Sequence, residues 1–322
     1  MSISSFDFEK PIGELETNLA KFSEFVTSKD IDVGTSLATL KALVPDIERK
    51  IYQCLTPWDK IQLTRHPLRP YPQDYINDVF TDFLELHGDR HYADDQTIYG
   101  GFAKLDTQDV MVIATRKGRN LKQNMLYNFG CAMPEGFRKA LRLMKLADKA
   151  RCPIITFIDT PGAYPGVGSE QRNVSEAIAM NLREMFRFSV PIICVITGEG
   201  GSGGALSIAV GNKVLMMEYA YYSVITPEGC AAIIWRSNEA IPKAASALKL
   251  TADDLFKLHV IDDIIPEPAG GAHRDPEQAA RLLKDHLRSN LGILLGLSPA
   301  DLKQHRYERF RNIGQFIDSV NQ

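Results

Sequence analysis

A glycine cluster constrains this chain more than any other feature. Residues 192–197 form an apolar run rich in β-branched residues, typical of a buried strand, and five of the next seven residues, 198–204, are glycine. Glycine lets the backbone turn sharply and approach a ligand closely, because it has no side chain. The first N–H groups of a following helix have no partner within that helix. The cluster therefore predicts a strand-to-helix turn whose backbone N–H groups bind a negatively charged oxygen in an enzyme active site.

The same glycines also have the spacing of a dinucleotide-binding fingerprint. Gly198, Gly200 and Gly203 complete the pattern G-x-G-x-x-G, and Glu218 is an acid about twenty residues further on. However, Gly211 ends the next helix after about two turns, and the motif lies deep in the chain rather than in a first βαβ unit. A nicotinamide site stays an alternative hypothesis.

Ser202 gives a third interpretation of the cluster. Gly200, Ser202 and Gly204 match the G-x-S-x-G pattern of a nucleophile elbow, which a serine hydrolase places between a strand and a helix. Acids and histidines that follow in the required chain order are Asp254 and Asp262, then His273 and His286. None of them lies in a recognisable signature, so backbone exposure is the interpretation that we favour. A non-catalytic scaffold is the remaining alternative.

A second glycine-rich loop follows another apolar run. Residues 154–158 predict a short buried strand, and residues 159–168 contain three glycines and two prolines. Two such loops at neighbouring strand ends can each supply one backbone N–H, which is the geometry of an oxyanion hole.

The remaining pattern predicts an α/β protein, because strands alternate with helices along most of the chain. The predicted strands are 98–105, 110–115, 154–158, 192–197, 214–217, 222–225 and 260–265, and the predicted helices are 11–27, 37–51, 73–86, 134–150, 173–188 and a short one to about 210, with helices dominating after 227. The first two helices are amphipathic and need a partner surface. We therefore divide the chain into an N-terminal helical arm, residues 1–70, and a main domain, residues 71–322.

Composition excludes several classes of protein. The 322 residues are 44% hydrophobic and 24% charged, as in an ordinary globular protein, and the net charge of −3 gives no field that attracts nucleic acid or an anionic membrane. The N-terminal residues lack a signal-peptide pattern, and no apolar run is free enough of polar residues to span a membrane. The five scattered cysteines form no Cys-x-x-Cys motif, which predicts free thiols, a cytoplasmic protein and no bound metal.

Three segments, which occur along the chain in the same order as in a known family, resemble that family. Residues 157–166 (FIDTPGAYPG), 198–205 (GEGGSGGA) and 222–231 (YSVITPEGCA) are similar to the alpha subunits of the bacterial acetyl-coenzyme A carboxylase carboxyltransferase. Flanking segments at 65–71, 88–95 and 266–273 agree, so the resemblance spans nearly the whole chain. The chain departs from the family at Leu121 and Tyr127, where the family has threonine and arginine.

The resemblance implies a crotonase-like ββα spiral and an α₂β₂ enzyme whose beta subunit bears the zinc. It implies biotin as the cofactor, held as carboxybiotin on a biotin carboxyl carrier protein that biotin carboxylase serves, and acetyl-CoA as the acceptor that yields malonyl-CoA. Charge left on the ureido oxygen of biotin needs hydrogen-bond donors rather than a nucleophile.

On that basis we predict backbone N–H groups as the catalytic elements. Gly203 and Gly204 are the principal predicted donors, with Gly162 and Ala163 as partners from the other loop. The predicted substrate-binding residues are Gly200, Gly201, Tyr164, Lys117 and Arg119, although Lys117 and Arg119 also fit a solvated basic loop. Glu199 and Glu228 are candidate acids or bases, but we favour hydrogen bonds from them to nearby backbone groups.

Overall fold

The computed structural model describes residues 6–29 and 34–314. Its strands are β1 (Thr81–Glu85), β2 (Ile98–Leu105), β3 (Gln108–Thr115), β4 (Ile154–Thr160), β5 (Ile192–Gly201), β6 (Lys213–Met217), β7 (Tyr221–Ser223) and β8 (Asp263–Ile265). They form one sheet in the order β1-β2-β3-β4-β5-β6-β8, with β7 paired to the end of β5. The strands β1 to β3 are antiparallel, and pairing from β3 onwards is parallel.

Helices connect the parallel strands and cover the sheet. They are α1 (Lys10–Ser28), α2 (Gly34–Gln53), α3 (Pro57–Thr64), α4 (Pro72–Val79), α5 (Leu121–Leu126), α6 (Pro134–Ala150), α7 (Val167–Gln171), α8 (Val174–Met185), α9 (Ser202–Leu206), α10 (Pro227–Ile234), α11 (Ile241–Leu248), α12 (Ala252–Lys257), α13 (Pro276–Leu295) and α14 (Pro299–Arg311). Every residue of β4 and β5 is buried, as expected for central strands of a parallel sheet. The predicted α/β class is confirmed.

Several predicted elements are confirmed with small shifts of their ends. The hairpin of β2 and β3 turns through two residues, since Leu105 pairs with Gln108. Thr56 caps the start of α3, because its hydroxyl accepts a hydrogen bond from the Asp59 N–H and the Asp59 carboxylate accepts one from the Thr56 N–H. The helix predicted at 134–150 is α6, whose inner face joins the core.

Four local predictions were wrong, and in three of them pairing with a distant segment is the reason. Residues 81–85, predicted to end a helix, form β1 because they pair with β2. The loop predicted at 198–204 is half strand, because residues 199–201 pair with β7. The first loop begins later than predicted, since β4 continues to Thr160, which pairs with Gly200. The helix after the glycines ends at Leu206 instead of about 210.

The N-terminal arm is anchored at its base. Helices α1 and α2 contact each other, and a small cluster of buried residues joins the arm to the main sheet; its members are Ile12, Tyr52, Leu63 and Tyr219. Further out, Phe22 and Phe25 in α1 and Leu43 in α2 are exposed. Within the described residues, the apolar stripe of α1 is therefore covered only in part, since Ile12 and Val26 are buried and Phe22 is exposed. The division at residue 70 stays a prediction, and residues 1–5, 30–33 and 315–322 lie outside the described residues.

A buried histidine lies beneath this anchor. The His66 and His273 rings lie 4.0 Å apart between centroids, and Glu9 of the arm accepts a hydrogen bond from Tyr52 at 2.6 Å. Burial, aided by His273, lowers the pKa of His66 to about 4, although the Glu9 charge opposes the shift. His66 therefore folds in its neutral form.

Acid should weaken this region through His66. The pKa of His66 is 6.5 when unperturbed and about 4 in the folded chain, so between these values the unfolded state binds more protons and stability falls as the pH is lowered. We expect His66→Gln to reduce the loss of melting temperature between pH 6.5 and pH 4. His259→Gln, at an exposed position, is the control and should keep the wild-type dependence. Identical pH dependences for wild type and His66→Gln would contradict this assignment.

Candidate functional site

The two glycine-rich loops meet at one edge of the sheet. Strands β4 and β5 pair in parallel without a shift from Ile154–Ile192 to Ile158–Ile196, and the next pair is Thr160 with Gly200. Four residues of β5 thus advance against two of β4, which is a bulge in β5. Both strands end shortly after this pair, so the loops that follow them lie side by side.

The loop backbones touch directly, which explains the glycines. A Cβ atom on Gly204 would lie 2.4 Å from the carbonyl carbon of Gly162 and 2.6 Å from the nitrogen of Ala163. A Cβ atom on Gly201 would lie 2.1 Å from the carbonyl oxygen of Pro161. No side chain fits at such distances, so these two positions require glycine for close approach rather than for a turn.

The four predicted donors are therefore brought together. Gly162 and Gly204 are buried at the contact between the loops, whereas Ala163 and Gly203 are partly exposed. The Gly162 N–H already donates to the Thr160 hydroxyl at 3.1 Å, which leaves Ala163 as the better-placed donor of the first loop. Among the described residues no side chain caps the start of α9, so the N–H groups there have no side-chain acceptor. Their role as oxyanion donors stays a prediction.

An apolar pocket of about 290 Å³ opens beside the second loop. Its lining residues are Ser202, Gly203, Leu206, Tyr222, Ser223, Val224 and Val260. Ser202 is exposed at its mouth and has a φ of 53°, which is uncommon for a residue other than glycine and is often found at functional sites. The pocket thus combines an apolar wall with backbone amides of the glycine turn.

The structure does not assemble a serine triad around Ser202. The candidate partners are engaged elsewhere: Asp254 with Thr251 (2.9 Å), Asp262 with Arg309 (2.6 Å), His286 with Asp263 (2.8 Å) and His273 with the His66 ring. Within residues 6–29 and 34–314, no histidine hydrogen-bonds to Ser202. The dinucleotide alternative is also disfavoured, because α9 has only five residues.

Behind the loops lies a group of four charged residues, Arg65, Lys117, Asp159 and Glu199, which we call the charged cluster. The Lys117 ammonium lies 2.6 Å from Asp159 Oδ1 and 2.7 Å from Glu199 Oε1. The other oxygen of Glu199 accepts hydrogen bonds from Arg65 Nε at 2.8 Å and from the Tyr221 hydroxyl at 2.7 Å. Both oxygens of the Glu199 carboxylate are therefore held by cationic side chains.

These contacts keep Glu199 and Lys117 charged. Burial opposes the charge of Glu199, but Lys117 and Arg65 overcome it and lower the pKa of Glu199 to about 2. Burial likewise opposes the charge of Lys117, yet Asp159 and Glu199 raise the pKa of Lys117 above its ordinary value. Arg65 also pairs with Glu228 at 2.5 Å. Glu199 and Glu228 thus bind cationic side chains, where the sequence favoured hydrogen bonds to backbone groups.

The other predicted binding residues lie around the same edge. Arg119 donates to the Pro67 carbonyl at 3.0 Å, pairs with Asp74 and lies over the Tyr71 ring at 4.4 Å. Tyr164 is half-buried, and its N–H donates to the Ala132 carbonyl. Gly200 and Gly201 pair with β7. Both predicted cations, Lys117 and Arg119, are thus engaged by carboxylates of this chain, and their contact with a substrate stays a prediction.

Sequence reasoning missed Arg65, Asp159 and Tyr221 as members of the site. Arg65 and Glu199 are 134 residues apart, so no local pattern links them. Tyr127, one of the two departures from the family pattern, makes a cation–π contact, because the centre of its ring lies 5.1 Å from the Arg116 guanidinium. In the part of the chain that the structure describes, no three His, Cys, Asp or Glu side chains are grouped as metal ligands, and no helix is long and apolar enough to span a membrane.

Alanine substitutions at two adjacent glycines should test the contact between the loops. Gly204→Ala places a methyl group against the Gly162 backbone and should destabilise the fold by about 1–3 kcal/mol or more. Gly203→Ala is the matched control, because its Cβ atom would meet only the Ile178 side chain, at an ordinary 3.5 Å. Urea denaturation measures both. Equal stabilities of the two variants would show that the loops do not touch as described.

A mixed sheet whose parallel strand ends bring two glycine-rich loops together defines a crotonase-like α/β protein. The family model described as acetyl co-enzyme A carboxylase carboxyltransferase-like matches residues 5–314. The acetyl-coenzyme A carboxylase carboxyl transferase subunit alpha of Coxiella burnetii (strain RSA 331 / Henzerling II) is 52% identical over 98% of this chain and 100% of its own length. That of Bordetella pertussis (strain Tohama I) is 51% identical over 96% and 97%. The chain belongs to this carboxyltransferase alpha-subunit family.

Solved structures agree with the fold. The transcarboxylase 12S core superimposes with a TM-score of 0.55 at 20% identity over 79% of this chain, and this chain spans 44% of the length of that one. The hetero-dimer of a Pseudomonas malonate decarboxylase gives a TM-score of 0.55 at 17% identity over 67% of this chain and 88% of the other. The predicted crotonase-like class is confirmed.

Proposed function

We propose that this chain is the alpha half of a carboxyltransferase that moves the carboxyl group of carboxybiotin to acetyl-CoA. The product is malonyl-CoA, and the reaction is the first committed step of fatty acid biosynthesis. Membership of the alpha-subunit family supports the reaction. The single structural observation that carries it is the contact between Gly204 and the Gly162–Ala163 peptide, which brings backbone amides of two loops together beside an apolar pocket.

The residues present fit biotin. The backbone contact at Gly204 leaves no space for a side chain, and the wall formed by Leu206, Tyr222 and Val224 is suited to an apolar ring. When bound, carboxybiotin supplies the carboxyl group and carries the developing negative charge on its ureido oxygen. Gly203 and Gly204 would donate their N–H groups to that oxygen, and Ala163 would complete the donor set beside Gly162, whose own N–H already donates to the Thr160 hydroxyl. Each such donor is typically worth about 2.7–4 kcal/mol in the transition state.

The acidic side chains next to the loops favour charge stabilisation over proton abstraction by this chain. Asp159 and Glu199 are both held by Lys117, and Glu199 is also held by Arg65. A general base needs a pKa near the working pH, whereas Lys117 and Arg65, against the effect of burial, lower the pKa of Glu199 to about 2 and make it a weak proton acceptor. The site therefore acts through fixed backbone dipoles.

The proposal includes partners. A beta subunit completes the active site in an α₂β₂ assembly, and a biotin carboxyl carrier protein brings carboxybiotin from biotin carboxylase. Exposed apolar side chains support a subunit interface near the pocket: Val224 at its mouth is 78% exposed, and Ile233 and Ile234 in α10 are exposed as well. The five cysteines are all free, which fits the reducing cytoplasm.

Reconstitution tests the proposed reaction. The purified chain mixed with its beta subunit should form malonyl-CoA from carboxybiotin and acetyl-CoA, and each subunit alone should be inactive because each holds only part of the site. Radiolabelled carboxyl transfer measures the product. A well-formed complex without any transfer would refute the proposed function.

Two substitutions separate this function from its alternatives. Gly203→Val should leave the complex assembled but lower turnover about 100-fold or more, because its branched side chain would crowd Ile178 and displace the donor backbone. Ser202→Ala should keep turnover within a few-fold of wild type. Loss of activity in Ser202→Ala, or labelling of Ser202 by a fluorophosphonate, would instead establish a serine nucleophile. Unchanged turnover in Gly203→Val would favour a scaffold.

A further inference from the structure

The charged cluster joins the ends of three neighbouring strands. Lys117 follows β3 by two residues, Asp159 is the penultimate residue of β4, and Glu199 is the third residue from the end of β5. The Lys117 ammonium binds the carboxylates of the other two at 2.6 and 2.7 Å. One cation therefore ties together the strands from which both glycine loops emerge.

Asp159 extends this tie to the backbone. Its Oδ1 atom accepts a hydrogen bond from the Glu199 N–H at 2.9 Å, and its own N–H donates to the Thr115 hydroxyl at 2.7 Å. A Cβ atom on Gly198 would lie 2.5 Å from the Asp159 carboxylate, so the glycine strand passes directly over it. The position of residues 198 and 199 is thus set by a side chain of the neighbouring strand β4.

Arg65 holds the cluster from the opposite side. It binds Glu199 Oε2 at 2.8 Å and Glu228 at 2.5 Å, and Glu228 lies in the first turn of α10. Glu199 consequently receives cations on both oxygens, four residues before Gly203. The side chains of Lys117 and Glu199 are only 14% and 11% exposed, so these bonds are weakly screened by solvent.

We infer that Lys117 and Glu199 are positioning residues, which hold the two glycine loops at the separation that charge stabilisation requires. This inference rests on the proposed function and assigns Lys117 a role through Asp159 and Glu199 rather than through a substrate. The physical reason is that a backbone N–H group is the same donor in every residue. How well it stabilises charge therefore depends on its position and direction, which the residues behind the loops determine. A misplacement of about 1 Å can cost about 100-fold in rate.

The expected effect is on turnover rather than on substrate affinity. In the reconstituted complex, Glu199→Gln and Lys117→Met should each lower kcat by about 10- to 100-fold with the KM values for carboxybiotin and acetyl-CoA unchanged within about two-fold. The double variant should lose less than the product of the two single losses, because both changes release the same loops. Lys104→Met, which removes an exposed pair with Asp109 in the β2–β3 hairpin, is the matched control and should change neither constant.

Hydrogen exchange of the full chain without its partner gives a second readout. Both variants should lose protection at amides 160, 162, 163 and 198–204, while the Lys104→Met control keeps it. A raised KM for carboxybiotin at unchanged kcat in Lys117→Met would overturn the inference by showing a substrate contact. If one of the pKa values seen in the pH dependence of the wild-type kcat disappears in Glu199→Gln, Glu199 transfers a proton and the positioning role is overturned. Unchanged exchange would overturn it as well.

The two proposals fail separately. An inactive wild-type complex would refute the proposed function, whereas the exchange experiment would still decide whether Lys117 and Glu199 hold the loops. An active wild-type complex with variants of wild-type kcat would refute only the positioning role.

Discussion

The parallel pairing of β4 with β5 is the constraint on which the site depends. Five consecutive residue pairs, from Ile154–Ile192 to Ile158–Ile196, are fully buried and set the register of the two strands. Because a shift by one residue would turn every buried side chain to the other face, this register is strongly fixed. The bulge that follows adds residues only to β5, so the second loop extends past the end of β4. The core therefore brings the two glycine loops to the same edge of the sheet.

Part of this arrangement could be predicted from the sequence. The buried strands and the glycine turn have local signals, namely apolar runs and a cluster of residues without side chains. The central strands lie where the pattern places them, and the turn begins later because β5 continues to Gly201. Strand β1 and the last residues of β5 could not be predicted in this way, since each becomes a strand only by pairing with a segment elsewhere in the chain. Local propensity is a weak guide where a distant partner decides.

The site shows the same limit. Gly162, Ala163, Gly203 and Gly204 could be proposed from their loops, because a backbone donor needs only a glycine-rich turn at a strand end. The ion pair between Lys117 and Glu199 could not be predicted from the sequence, since the two residues are 82 positions apart. The pair forms only because the ends of three strands meet at one edge of the sheet. Lys117 and Arg119 looked like free basic residues in the sequence for that reason. In the structure each already has a carboxylate partner.

The charged cluster is best explained by geometry rather than by stability. Taking charges out of water costs several kcal/mol per ion, and a buried pair often contributes no more than apolar residues of the same size would. Apolar side chains, however, would fix only contact between the strands. The Glu199 carboxylate, held by Lys117 on one oxygen and by Arg65 on the other, has a defined position and direction. Asp159, which also binds Lys117, fixes the backbone of Glu199 by accepting a hydrogen bond from its N–H. The proposed site is made of backbone amides and has no side chain of its own to adjust, so on that proposal the directional bonds behind it determine where those amides point.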